Sequence, residues 1–213
     1  MNVDLASLII PFVVLLMSLT FHEAAHALSA DILGDSTARR LGRVSLNPAV
    51  HIDPIGTVLF PLLAMLSNLP IIGWAKPVPV NPANLHGHWQ RKYMLIAAAG
   101  PASNLALAAV AAIGLHLIGF TGGSTPASSE IFEFLRVMAA LNVLLAVFNM
   151  IPVPPLDGGN VLAGVLSGPA AAFFDRIRPY GMFILYGLLL SGILWKIVNP
   201  VELAILRALG LVS

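Results

Sequence analysis

Two histidines and a glutamate carry the first chemistry in the chain, as His22-Glu23-Ala24-Ala25-His26 inside an apolar stretch from about Leu5 to Ala30. On a helix, His22 and His26 project from one face, one turn apart. Two imidazoles on that spacing can bind one zinc, and Glu23 stands where its carboxylate could activate a zinc-bound water. The chain has no cysteine, so a metal must be held by His, Asp or Glu. An ionisable side chain at membrane depth costs at least ~2.5 kcal/mol, and three within five residues call for a partner such as a divalent metal. The alternative is a helix end that has left the lipid, with two surface histidines.

A further oxygen ligand stands in Asn149-Met150-Ile151-Pro152-Val153-Pro154-Pro155-Leu156-Asp157-Gly158-Gly159-Asn160. The prolines break a helix there, and the glycines let the backbone turn sharply after Asp157. Asp157 could complete a three-ligand site with a fourth position open for water. It could instead cap the short helix that follows. Near the start of another apolar segment, Gly100 and Asn104 lie four apart. The glycine would permit close helix approach, and the amide could hydrogen-bond inside a bundle.

The elements that position these residues belong to a membrane. Of 213 residues, 58% are hydrophobic and 10% charged, with mean hydropathy +0.89. This is the composition of a polytopic membrane protein. The net charge of +1 comes without a long basic run, which excludes a nucleic-acid role. The first apolar segment lacks a basic n-region and a small-residue cleavage site, so it reads as a retained helix and not a signal peptide. The expected class is all-α and polytopic, with about five transmembrane helices, a re-entrant or interfacial hairpin and short β segments. A single domain over residues 1–213 is expected, with its catalytic core at about 5–166 and C-terminal transmembrane and interfacial helices at about 180–213.

In chain order, helix one covers about Leu5 to Ile32 and puts His22 roughly 25 Å along, near the far side of a ~30 Å core. Leu41–Pro48 alternates like an edge strand or hairpin. Thr57–Ile72 is apolar, with basic residues on both flanks, which suits a re-entrant or interfacial hairpin with cytoplasmic flanks; a full span is the alternative. Gly73–Pro82 is extended because of its alternate prolines. It could offer a free edge to a peptide strand, or be a rigid loop anchored by Trp74. His51, His86 and His88 read as solvated loop residues, and His116 as interfacial. Tyr93–Phe120 and Ile131–Pro152 are further spans, with Glu133 and Arg136 able to pair at the outer end. Gly181–Val198 reads as the last span, and Asn199-Pro200-Val201-Glu202 as the start of an interfacial tail helix.

His22-Glu23-x-x-His26, Gly100-x-x-x-Asn104 and Asn149-x-x-Pro152-x-x-x-x-Asp157-Gly158 together resemble the site-2 protease family of intramembrane zinc metalloproteases, in the family's order and spacing. The resemblance implies one zinc on His22, His26 and Asp157, with Glu23 as catalytic base. It also implies that Asn104 positions the substrate or stabilises the oxyanion, with Asn149, Gly100, Pro152 and Gly158 supporting the site. Many relatives carry a PDZ or cystathionine-synthase-type domain, for which this chain has no room. The function expected is hydrolysis of peptide bonds in or near transmembrane segments of membrane-protein substrates. The partners expected are the lipid bilayer and such a substrate, with an unidentified regulatory membrane protein possible and no nucleic acid. The location expected is a bacterial cell membrane, with the N-terminus outside and the site nearer the cytoplasmic face. Two other classes use the same ligands: a metal transporter or sensor, and an inactive scaffold.

Overall fold

The computed structural model describes residues 6–67, 75–121 and 126–212, and among these every regular element is helical. Nine α-helices follow in order: α1 Ala6–Ile32, α2 Thr37–Arg40, α3 Phe60–Leu66, α4 Trp89–Thr121, α5 Pro126–Asn149, α6 Asp157–Val165, α7 Gly168–Ile177, α8 Gly181–Leu190 and α9 Ile193–Ala208. Three of them, α1, α4 and α5, are long and apolar enough to cross a membrane. They pack on one another, α4 antiparallel to both, because His26 meets Ile96 while Ser18 and Asn104 meet Asn142. Their outward faces are lined by residues such as Val110, Ile113 and Leu117, whose exposure fits lipid as solvent.

The expected count of about five spans is therefore too high, and the short β segments are absent among the described residues. Leu41–Pro48 turns without pairing, and its Asn47 caps a single 3-10 turn at Pro48–Val50. Alternation without a partner strand is not enough to make a ladder. In the region expected to form a hairpin, Asp53 caps a wide helical turn, Pro54–Leu59, which runs into α3. At about 1.5 Å per residue this piece falls well short of a ~30 Å core. Asn68–Trp74, which holds the rest of that region, lies outside the described residues.

The last span is broken. Gly192 sits at φ +71, and the helices on either side bend by 78°. Taken as one broken segment, the pair raises the count of crossings to four at most. Pro200 starts no new helix: α9 runs through it. Packing on α5 holds α9 straight enough to absorb the lost hydrogen bond, as Leu194 and Val198 bury against Ile151 and its neighbours Leu144, Val147 and Phe148. The far end of α9 closes on α4, where the His116 ring donates from Nε2 to Leu209 O at 2.8 Å.

One carboxylate ties the loops to the end of α1. Asp35 is fully buried and accepts from Thr37 N–H and hydroxyl, from Asn81 N–H at 2.6 Å and from Asn84 Nδ2 at 2.7 Å. Burial alone would raise its pKa, but these donors outweigh it and hold the carboxyl below its ordinary 3.8. A depressed folded pKa means that this contribution is complete above 3.8 and is lost as pH falls through the lower, folded value. Asp35→Ala is expected to release Asn81–Asn84, raising amide exchange there at neutral pH by about tenfold or more, since charged hydrogen bonds are worth about 1.5–3 kcal/mol. Wild type should show the same loosening only under acid. Unchanged exchange in Asp35→Ala would show that other contacts hold the segment.

Candidate metal centre

His22 and His26 fall on the buried face of α1 because Val14, Ser18, Leu15 and Leu19 on the preceding turns already face α4 and α5. Both rings are fixed by a bond at Nδ1: His22 to Asn104 Oδ1 at 2.6 Å, and His26 to Ile96 O at 2.7 Å. A backbone carbonyl can only accept, so a neutral His26 carries its proton on Nδ1 and presents a bare lone pair at Nε2. The Nε2 atoms of the two rings are 3.0 Å apart.

Asp157 arrives from the other side. Prolines at 152, 154 and 155 prevent α5 from continuing, and the chain folds back through Val153 N–H on Ile151 O and Leu156 N–H on Val153 O. The turn delivers Asp157 as the first residue of α6, where Leu156 holds the cap position. Asp157 is therefore not the N-cap. Its Oδ2 lies 3.0 Å from His22 Nε2 and its Oδ1 3.4 Å from His26 Nε2. Oδ2 is buried without a hydrogen-bond partner. One ligand atom from each of the three residues lies within 4.8 Å of the others. Two ring nitrogens and a carboxylate, all acceptors, thus converge with both histidines buried and Asp157 half-buried. Such a cluster is repulsive unless a cation joins it. Two imidazoles and a carboxylate are a donor set suited to zinc, and the residues fit it.

The model for "Peptidase family M50" matches residues 116–191, the stretch holding α5, the proline turn and Asp157. The chain is also 33% identical over 207 residues to the protein named "Putative zinc metalloprotease YwhC" of Bacillus subtilis, covering 93% of this chain and 91% of that one.

The chain belongs to peptidase family M50.

This is the site-2 protease family to which the three motifs point. It shares 30% identity over 179 residues with Rip2 of Mycolicibacterium smegmatis, covering 83% of this chain and 64% of Rip2. With Rip3 of Mycobacterium tuberculosis it shares 31% over 154 residues, covering 72% of this chain and 30% of Rip3. The chain thus spans less than two thirds of either mycobacterial relative. The names of both are those of zinc metalloproteases with the same qualifier as YwhC. No solved structure matches.

Around the M50 donor cluster, Gly100 and Gly158 are required by space. A Cβ on Gly100 would stand 2.4 Å from His26 Nε2 and 2.6 Å from His22 Nε2. A Cβ on Gly158 would stand 2.3 Å from Met150 O. Asn149 lies one turn before the break, and its amide donates to Leu145 O at 2.9 Å, finishing α5 without touching the cluster. Pro152 is exposed at the turn. Glu23 is buried beside His22, and its Oε2 accepts from Val78 N–H at 3.0 Å. Val78 is held there from behind. Arg43 donates to Lys76 O and, at 3.4 Å, to Pro77 O, while Lys76 N–H donates to His51 O at 2.9 Å.

His51 is thereby corrected from a solvated loop residue to a buried one, with its Nε2 on Ser45 O at 2.9 Å. His86 and His88 are exposed, and Glu133 and Arg136 pair at 2.7 Å as their spacing suggests. Four residues near the site carried no obvious signal as functional: Ser18, Arg43, Val78 and Asn142. Asn142 alone could have been found, as the one polar side chain between Val137 and Phe148.

Gly100→Ala tests the close approach. The added methyl must displace both imidazoles, and zinc affinity is expected to fall by about 10–100-fold or more, the scale of losing ligand orientation. Competition with a zinc chelator in detergent measures it; unchanged affinity would mean that the rings move aside without cost.

Proposed function

We propose that this chain is an intramembrane zinc endopeptidase that hydrolyses peptide bonds in or near transmembrane segments of membrane-protein substrates. The observation that carries the reading is the convergence of His22, His26 and Asp157 beside the carboxylate of Glu23 in an apolar bundle. When bound by these three ligands, zinc supplies a Lewis acid and an acidified water. Glu23 takes the proton of the attacking water on its carboxylate and returns it to the leaving amine. Asn104 holds His22, since its Oδ1 faces that ring and its amide nitrogen faces Asn142 and Ser18 O. With its amide hydrogens directed into the bundle, Asn104 orients a ligand better than it serves a developing oxyanion.

The non-helical segment from Lys76 to Asn81 runs past Glu23 and is the surface on which an unwound substrate segment would lie by strand addition. The basic residues Arg39, Arg40, Arg43, Arg91, Lys92, Arg176 and Arg178 gather where α1 ends and α4 begins, and around α7. By the positive-inside tendency that end is cytoplasmic, which puts the N-terminus outside and the site within reach of cytoplasmic water. A transport reading needs a polar path beyond the site. The described residues close that direction with Val14, Ala111, Leu115, Met138 and Ala139, all buried and apolar.

Purified wild type and Glu23→Gln, reconstituted with a tagged single-span substrate panel, test the proposal. Glu23→Gln is expected to keep its zinc and to lose about 10²–10⁴-fold in cleavage rate, the range for removing a general base. A Gln variant that cleaves as well as wild type removes Glu23 from the mechanism. Zinc flux into the vesicles without cleavage would favour transport.

A further inference from the structure

Asn142 is fully buried on α5 and is wired to His22 through Asn104 by a chain of one-way hydrogen bonds. The chain starts at two backbone carbonyls. Ser18 Oγ donates to Val14 O at 2.7 Å, so its only proton is committed and the oxygen is left to accept. Asn142 faces that oxygen at 2.8 Å and Met138 O at 2.8 Å. Both are acceptors toward Asn142, so the group it turns to them must be its NH2. Its carbonyl Oδ1 therefore faces Asn104, at 2.7 Å, and Asn104 must answer with its own NH2. That in turn leaves Asn104 Oδ1 against His22 Nδ1 at 2.6 Å. An acceptor at Nδ1 requires the proton there, and Nε2 is left with its lone pair aimed at Asp157 and His26.

We infer that Asn142, backed by Ser18 and Met138 O, is a positioning residue that sets the tautomer of His22 and so makes it a zinc ligand. The inference rests on the zinc-protease reading of the site, and it assigns a role to residues that touch neither the metal ligands' donor atoms nor Glu23. His26 reaches the same tautomer in one step, through Ile96 O. His22 has no carbonyl of its own and borrows the polarity of two carbonyls through three side chains. Without Asn142, Asn104 Nδ2 keeps only the long 3.4 Å contact with Ser18 O; the amide could then flip, since its two ends are nearly the same size, and a flipped amide would put an N–H against His22 Nδ1. The ring would then carry its proton on Nε2, blocking the site. Surrounding the relay with the buried apolar residues Val14, Met138, Ala139 and Val143 keeps water from offering either end an alternative partner.

The experiment reads the tautomer directly. Full-length chain labelled with 15N-histidine is purified in detergent and stripped of metal, and the His22 ring signals are identified by their loss in His22→Phe. In wild type the proton is expected on Nδ1 and the bare nitrogen at Nε2. In Asn142→Ala the two tautomers should mix and zinc affinity should fall by about 10–100-fold, the usual loss for an outer partner of a metal ligand. Val110→Ala, on the exposed face of α4 and outside the relay, should leave tautomer and affinity at wild-type values. Asn142→Ala with an unmixed Nδ1 proton and wild-type affinity overturns the inference. If Asn142→Ala does not fold, the wild-type spectrum still decides: a neutral ring with its proton on Nε2 and Nδ1 bare in the metal-free chain overturns it without any variant. Failure of the underlying reading looks different, namely the expected tautomer in a wild type that binds no zinc.

Discussion

The structure depends on three electron-rich atoms being held together by the packing around them. His22 Nε2, His26 Nε2 and an Asp157 oxygen converge within 4.8 Å. Both imidazoles are committed at Nδ1 to acceptors, so no hydrogen stands between the facing nitrogens. In an apolar bundle such an arrangement costs free energy that only a cation returns. The surroundings are constrained by space: a Cβ at position 100 would run into both rings, and one at position 158 into Met150 O.

The three long helices do different jobs around that cluster. α1 presents His22, Glu23 and His26 on one buried stretch. α4 supplies the space at Gly100, the carbonyl of Ile96 and the amide of Asn104. α5 contributes Asn142 at depth and then breaks, so that its continuation brings Asp157 back to the cluster. The loops act on Glu23 instead. Asp35 anchors Asn81 and Asn84, Arg43 grips Lys76 and Pro77, and between these clamps Val78 N–H meets the Glu23 carboxylate. His22, His26 and Asp157 are thus set by the bundle, and the Glu23 carboxylate by the loop. A substrate lying along that loop would contact the element that orients the base, which couples its binding to the chemistry.

Much of the centre was legible in the sequence for a physical reason: ionisable groups are so costly in lipid that each one present points to a function. His22, Glu23, His26 and Asp157 stand out on those grounds, and the glycines and prolines near them mark close approach and a broken helix. The number of spans was not legible in the same way. Hydropathy sees that Gly181–Val198 is apolar but not that Gly192 bends the chain by 78° within it. Nor does it see that Pro200 is carried inside α9 by packing on α5. Leu41–Pro48 alternates like a strand, yet pairing is a property of two segments and no partner is present among the described residues. His51 shows the converse: in sequence it is one more loop histidine, and only the fold buries it beneath Lys76.

If the cluster exists to hold a metal, the metal content of the purified chain will show it. Wild type and Asp157→Ala, purified side by side in detergent and re-metallated with zinc, can be compared by inductively coupled plasma mass spectrometry. The account requires about one zinc per chain in wild type and a clear loss in the variant, because three protein ligands define such a site and two imidazoles alone hold zinc weakly. Equal zinc in both chains would put the metal elsewhere. No zinc in either would leave the converging lone pairs without their cation and contradict the account.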